Sequence, residues 1–261
     1  VGPETFNGSL LLLPKSCRLT EFTLEGISNI QGDFQCKDYS YVKEFVMPFI
    51  RVAGDMTIAL NSGSVNTAAE IEFPKLQEIG GTLTLGSNSN ANNIAFPSLK
   101  KILGSCSVTT TDLKNDIEFT NLESIGTDGA DEQIKFEIEA TNILCPKLKT
   151  INGKFDIATS SFMFGMEVDK VSYPNVESIS ENLSITCPYS DFGSNGILSI
   201  DFSGLKSVKG ISISGQGDVT DFSSFKYLFE NNVLTGESQW SVRECAYNPT
   251  YQDMKNGKYK Q

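Results

Sequence analysis

Histidine is missing altogether from the 261 residues. Its absence excludes His-based triads and proton shuttles, and it leaves zinc with poor ligands. No GxGxxG opens a helix after a strand and no P-loop occurs, so the usual nucleotide cradles are absent too. No run approaches the roughly 20 apolar residues that span a bilayer. Leu10 to Leu13 is short even for the core of a signal peptide, so a secreted form of this chain has already shed its targeting segment. Six cysteines include no CxxC pair, which argues against a zinc knuckle or a thioredoxin-type centre. Positive charge is scarce: 21 Lys and Arg stand against 32 Asp and Glu, a net charge of −11. That balance repels phosphate backbones, no basic patch with interleaved aromatics offsets it, and nucleic acid is not an expected partner.

What the chain does contain is a repeat. Residues 73–85, FPKLQEIGGTLTL, return as 96–108 (FPSLKKILGSCSV), 145–157 (CPKLKTINGKFDI) and 173–185 (YPNVESISENLSI). Looser copies begin at Leu24, Val46, Phe119 and Phe202, with successive starts 22, 27, 23, 23, 26, 28 and 29 residues apart. A period in the twenties marks a solenoid. Within a copy, Phe73, Leu76 and Ile79 recur every three residues, and then Leu83 and Leu85 alternate with Thr82 and Thr84. Period two belongs to a strand with one buried face. Gly80 and Gly81 supply permissive backbone for a corner. One turn cannot bury enough surface to fold alone, so neighbouring turns must cover each other.

The expected fold is mainly β: a single right-handed parallel β-solenoid of about eight turns, L-domain or leucine-rich-repeat-like, with a short C-terminal capping helix. Residues 1–23 form the N-terminal cap, 24–213 the eight turns, 214–245 the C-terminal cap and 246–261 a tail leaving the domain. Asp221 is the expected N-cap of a helix whose apolar face is Phe222, Phe225, Leu228 and Phe229, with Trp240 packed nearby. Leu83, Cys106, Phe136, Phe155 and Leu183 should share one interior file.

Aligning the copies converts positions into columns. Gln77, Lys100, Glu123, Lys149, Glu177 and Lys206 alternate in sign over most of their length, so vertical neighbours attract and help hold the register. The outward strand positions include Thr82, Thr84, Ser107, Glu137, Asp156 and Ser184, and this face is the candidate binding surface. Glu137 and Asp156 fall in one column on adjacent turns, roughly 5 Å apart by strand spacing, a separation suited to retaining glycoside hydrolysis. Lys135 and Lys154 stand beside them, and an ion-pair patch is the preferred reading. The insertion at 127–133, with Asp128, Asp131 and Glu132, lacks EF-hand spacing and reads as a solvated acidic loop. Phe162, Met163, Phe164 and Met166 read as a loop tucked onto the core. No catalytic residue, metal site or cofactor is expected.

Cys17 and Cys36 flank the first turn, where a bridge would staple the open end. Cys187 and Cys245 could join the stack to its C-terminal cap, with connectivity left open. Cys106 and Cys145 read as small buried hydrophobes. Asn7-Gly-Ser and Asn182-Leu-Ser are glycosylation acceptor sequons. Together the cysteines and sequons favour an oxidising compartment.

The repeated F-P-x-L-x-x-I-x-G-x-L-x-I over residues 24–213 resembles the receptor L-domain family. It looks closer still to fungal GPI-anchored cell-wall organisation glycoproteins of the sporulation-specific and extracellular-mutant type. Those also bracket the first turn with cysteines, as Cys17 and Cys36 do here, and end in a Phe-containing segment and a late cysteine, as in 222–245. The family's cysteine at the start of the capping helix is missing, since Thr220-Asp221-Phe222 stands there. The resemblance implies a non-catalytic extracellular protein of the cell surface or cell wall, acting as a structural or interaction module. Its implied partners are cell-wall polysaccharide or surface proteins, with membrane attachment through a lipid anchor outside this chain. A receptor ectodomain binding a protein ligand is the second reading, and a β-solenoid enzyme acting on polysaccharide the third.

Overall fold

A computed structural model describes residues 4–12, 21–24, 26–37, 44–59, 69–86, 91–109, 117–128, 135–139, 143–158, 170–187, 199–217 and 219–261. The fold is a mainly β parallel solenoid that ends in short helices. It divides into two compact units: Val1–Thr127 with Asn142–Pro146, and Asp128–Thr141 with Lys147–Gln261. Among the described residues, no helix is long and apolar enough to cross a membrane.

In the first unit the coils present three faces. Two-residue strands such as Arg51–Val52, Glu78–Ile79 and Lys101–Ile102 stack as one parallel sheet. Longer strands, Leu10–Leu12, Phe34–Lys37, Met56–Ala59, Leu83–Gly86 and Cys106–Thr109, form the second. Strands that precede the template phenylalanine, among them Glu44–Val46, Ala69–Glu72 and Ala91–Ala95, form the third. The sequence pattern predicts one strand per turn. The additional two escape it because each is too short, or too irregular in its alternation, to display period two.

Residues 1–23, expected as a cap, contain strands of the same sheets: Thr5 and Phe6 pair with Asn29 and Ile30, and Leu10 to Leu12 with Phe34 to Cys36. The copy expected to start at Val46 is displaced by one residue. Val46 pairs with Glu72, and Met47 enters the fully buried core after it, as Phe73 does after Glu72.

The apolar template positions form the core. Phe73, Leu76, Ile79, Leu83 and Leu85 are all completely buried. Phe73, Phe96 and Phe119 stack ring on ring, with 5.2 Å between successive centroids and planes 5° and 9° apart. The corner glycines serve a different purpose from the one their sequence suggests. Neither Gly80 nor Gly81 is among the glycines with positive φ. A Cβ at Gly80 would run into the Ala53 carbonyl oxygen, and one at Gly81 would lie 2.8 Å from the Gly54 carbonyl carbon. The coils approach so closely at this corner that no side chain fits between them.

A second corner device has no counterpart in the repeat template. Ser9 Oγ accepts from the Asp33 N–H at 2.9 Å, Asp33 Oδ1 from the Asp55 N–H at 2.9 Å, and Asp55 Oδ1 from the Thr82 N–H at 2.7 Å. Each side chain satisfies a backbone donor one coil on, where the chain turns and the ladder lapses.

The second unit stacks Lys135–Glu139, Lys154–Ala158, Asn182–Cys187, Gly210–Gly217 and Trp240–Cys245 in parallel. Phe136, Phe155, Leu183, Ile211 and Trp240 occupy one inward file, and within the first unit Phe34, Met56, Leu83 and Cys106 occupy another. A 3₁₀ turn, Ser223–Phe225, leads into helix α1, Lys226–Glu230. Asp221 Oδ1 accepts from the Ser223 N–H at 2.7 Å, as an N-cap does, one residue before the geometric cap Phe222. Phe222, Phe225, Leu228 and Phe229 are buried. The Trp240 ring meets Phe225 and Phe229 at 5.6 and 5.1 Å.

Residues 246–261, expected as a tail leaving the domain, fold back. Helix α2, Tyr251–Lys255, starts at a reciprocal Thr250–Asp253 capping box and buries Met254. Trp240 Nε1 donates to the Pro249 carbonyl at 2.9 Å, the Phe222 N–H donates to the Tyr259 carbonyl, and the backbones of Asp221 and Lys260 form an isolated antiparallel β-bridge. The sequence beyond Cys245 is too polar to advertise this packing, which rests on Met254, Tyr251 and backbone bonds. The final strand of the file is thereby covered, as an edge must be. The Asn248 side chain bonds both the N–H and the C=O of Cys245, at 3.0 and 2.7 Å.

Candidate functional site

The second sheet turns its outward positions into polar files. In the first unit Thr57, Thr84 and Ser107 lie in register, half-buried, with Gln35 before them. Thr82 sits just before its strand and is tied to Asp55 through its N–H. In the second unit the equivalent file runs Glu137, Asp156, Ser184, Ser212, Ser241. Of the expected face, Glu137, Asp156 and Ser184 are brought together on consecutive strands. Thr82, Thr84 and Ser107 belong to the first unit. For Glu137 only the backbone is described.

Two more files flank this one. On one side Lys135 pairs with Lys154, and Asn182 with Gly210. On the other, Ala158, Thr186, Ser214 and Arg243 follow in register. Between them lies an open groove of about 520 Å³ whose lining includes Lys135, Lys154, Asp156, Ser184, Ser212 and Arg243. Gly210 keeps its floor low, because a Cβ there would sit 3.0 Å from Asn182 Oδ1. Ser238, in the 3₁₀ turn Glu237–Gln239, belongs to the same lining. Sequence alignment of the eight copies could not find Ser238, Ser241 and Arg243, because they come from the segment after the last copy.

In the charged column, the last two residues meet as an ion pair. Lys206 Nζ lies 2.8 Å from Glu177 Oε2, one coil apart, and Lys209 bonds Glu181 beside it. The hydrogen bond from Lys206, and then its charge, holds the Glu177 carboxyl below its ordinary range; the same bond raises the Lys206 ammonium. In the first unit the comparable bridge joins Arg51 and Glu78 at 2.8 Å, one position along from that column.

Cys36, Cys106 and Cys145 are free, buried thiols. Burial pushes all three far up, and the neighbouring Cys106 adds to the effect at Cys145, so none is poised as a nucleophile. Cys245 is half-buried, its Sγ 3.5 Å from the Arg243 carbonyl. Cys17 lies outside the described residues, as do most of the 127–133 insertion and all of Phe162, Met163, Phe164 and Met166. Of Cys187 only the backbone is described. Asn7 and Asn182 are both exposed, and Asn182 stands in the groove wall. Among the described residues no three Cys, Asp or Glu side chains converge as a metal site would require.

Fold and face together define a class, a parallel β-solenoid presenting polar ladders to solvent. Compared with family models, curated proteins and solved structures, the chain matches none.

Proposed function

We propose that this chain is a non-catalytic module of a cell surface or cell wall, holding extended glycan along the outward face of its second sheet. The observation that carries the reading is the file Asp156, Ser184, Ser212, Ser241, with polar groups repeated at every strand in an open groove. Hydroxyls donate and accept alike, and the strand spacing of about 4.8 Å is close to the length of one pyranose along a chain. A ladder of this kind suits a repeating polyhydroxyl ligand better than a compact metabolite, which calls for an enclosed and largely apolar pocket. The resemblance to L-domain and cell-wall glycoproteins agrees with an extracellular, surface or wall location and with attachment through an anchor outside this chain.

Co-sedimentation with insoluble glucan, mannan and chitin particles tests the reading. Wild type is expected to sediment with at least one of them, and Ser212→Trp, which fills the groove, is expected to stay in solution. Loss of binding to every particle type would sink it. One observation favours the enzymatic alternative: Glu137 and Asp156 do occupy opposed positions on neighbouring strands. If wild type releases reducing sugar from a glycan panel and Glu137→Gln with Asp156→Asn does not, the protein is a hydrolase and the non-catalytic reading is wrong.

A further inference from the structure

Lys135 and Lys154 face each other in register on adjacent strands. Both line the groove, two cations side by side in a chain that carries −11 overall. Arg243 lines the same groove three strands further on and four residues along the strand, roughly 19 Å from Lys154 by strand spacing and rise per residue. Between these two cationic ends lies a floor of hydroxyls and Gly210, with one described carboxylate, Asp156. Among the described residues the lining holds no aromatic side chain, and it offers a sugar hydrogen bonds and charge.

From this layout we infer that the groove selects an acidic glycan, its charge carried by carboxylate or phosphate. Acidic groups about four sugars apart meet the lysine pair at one end and Arg243 at the other. Ser184, Ser212 and Ser241 take the intervening hydroxyls, and Asp156 accepts from one of them. Net negative charge elsewhere does not prevent this: at physiological salt, charges interact over only about 8 Å. The inference rests on the glycan-binding reading above and sharpens it to a substrate class.

The experiment measures affinity for polygalacturonate, for its fully methyl-esterified form, for a phosphorylated mannan and for a neutral glucan, by calorimetry or affinity electrophoresis. At least one acidic probe is expected to bind roughly tenfold or more tightly than the uncharged ones, a difference that shrinks as salt rises. Lys135→Gln with Lys154→Gln, and separately Arg243→Gln, should remove that preference while leaving the melting transition in place. Preference for polygalacturonate alone assigns carboxylate, and preference for the mannan alone assigns phosphate. Equal binding of charged and uncharged glycans, or a preference untouched by either variant, overturns the inference and leaves the glycan reading intact. Failure of all four probes fells both.

Discussion

At a single corner the controlling quantity is room. Gly81→Ala places a methyl carbon against the Gly54 backbone of the preceding coil, whereas Gly86→Ala meets nothing within 4 Å. The first substitution should cost about 1–3 kcal/mol, as overpacking does, and the second far less, measured as shifts in denaturant midpoint. Sequence reading marked the Gly80-Gly81 pair but assigned it to backbone freedom. The true reason, the nearness of residues 53–54, exists only once the coils are stacked. The Lys206–Glu177 pair makes a second residue-scale prediction. Glu177 is depressed by its hydrogen bond from Lys206, so its contribution is present above the ordinary carboxylate range and disappears as pH falls through its lowered value. Lys206 is raised, so its contribution is present below the usual lysine value and is lost as pH climbs past its elevated one. Wild type should therefore melt slightly above Glu177→Gln between about pH 4 and pH 10, and the gap should close at either end and at high salt.

Among the elements, the C-terminal closure depends most on one side chain. Trp240 ends the inward file, takes edge contacts from Phe222, Phe225 and Phe229, and ties the following loop through Pro249. Trp240→Ala is expected to cost about 3–5 kcal/mol, read by denaturant unfolding. Deleting residues 246–261 should expose the last strand and drive aggregation, seen as high-mass species on size exclusion. The helical stretch at 222–229 was legible because Phe222, Phe225, Leu228 and Phe229 keep helical spacing. The strand Trp240–Cys245 was not, since WSVREC has no second apolar residue strong enough to show alternation. Helix α2 was hidden for a related reason: Met254 is its one deeply buried side chain.

For the molecule as a whole, the buried thiols report on folding. Cys36, Cys106 and Cys145 should resist alkylation in the native protein and react once it is denatured, counted by mass spectrometry. Counting coils from the repeat finds those between residues 24 and 213. It misses coil-forming strands on either side, at Leu10–Leu12 and Trp240–Cys245, because terminal coils no longer need the full template to bury their one neighbour-facing side.

The amino-acid order alone determined that the chain stacks parallel coils, which side chains form the interior files and which face water. Period and alternation are local properties, written within each stretch of about 22 to 29 residues. Only the tertiary structure decided that each coil has three faces, that the final residues fold back, and that Arg243 joins Lys135 and Lys154 around one groove. Those arrangements come from how coils and closing segments meet, and no single stretch of sequence carries that information.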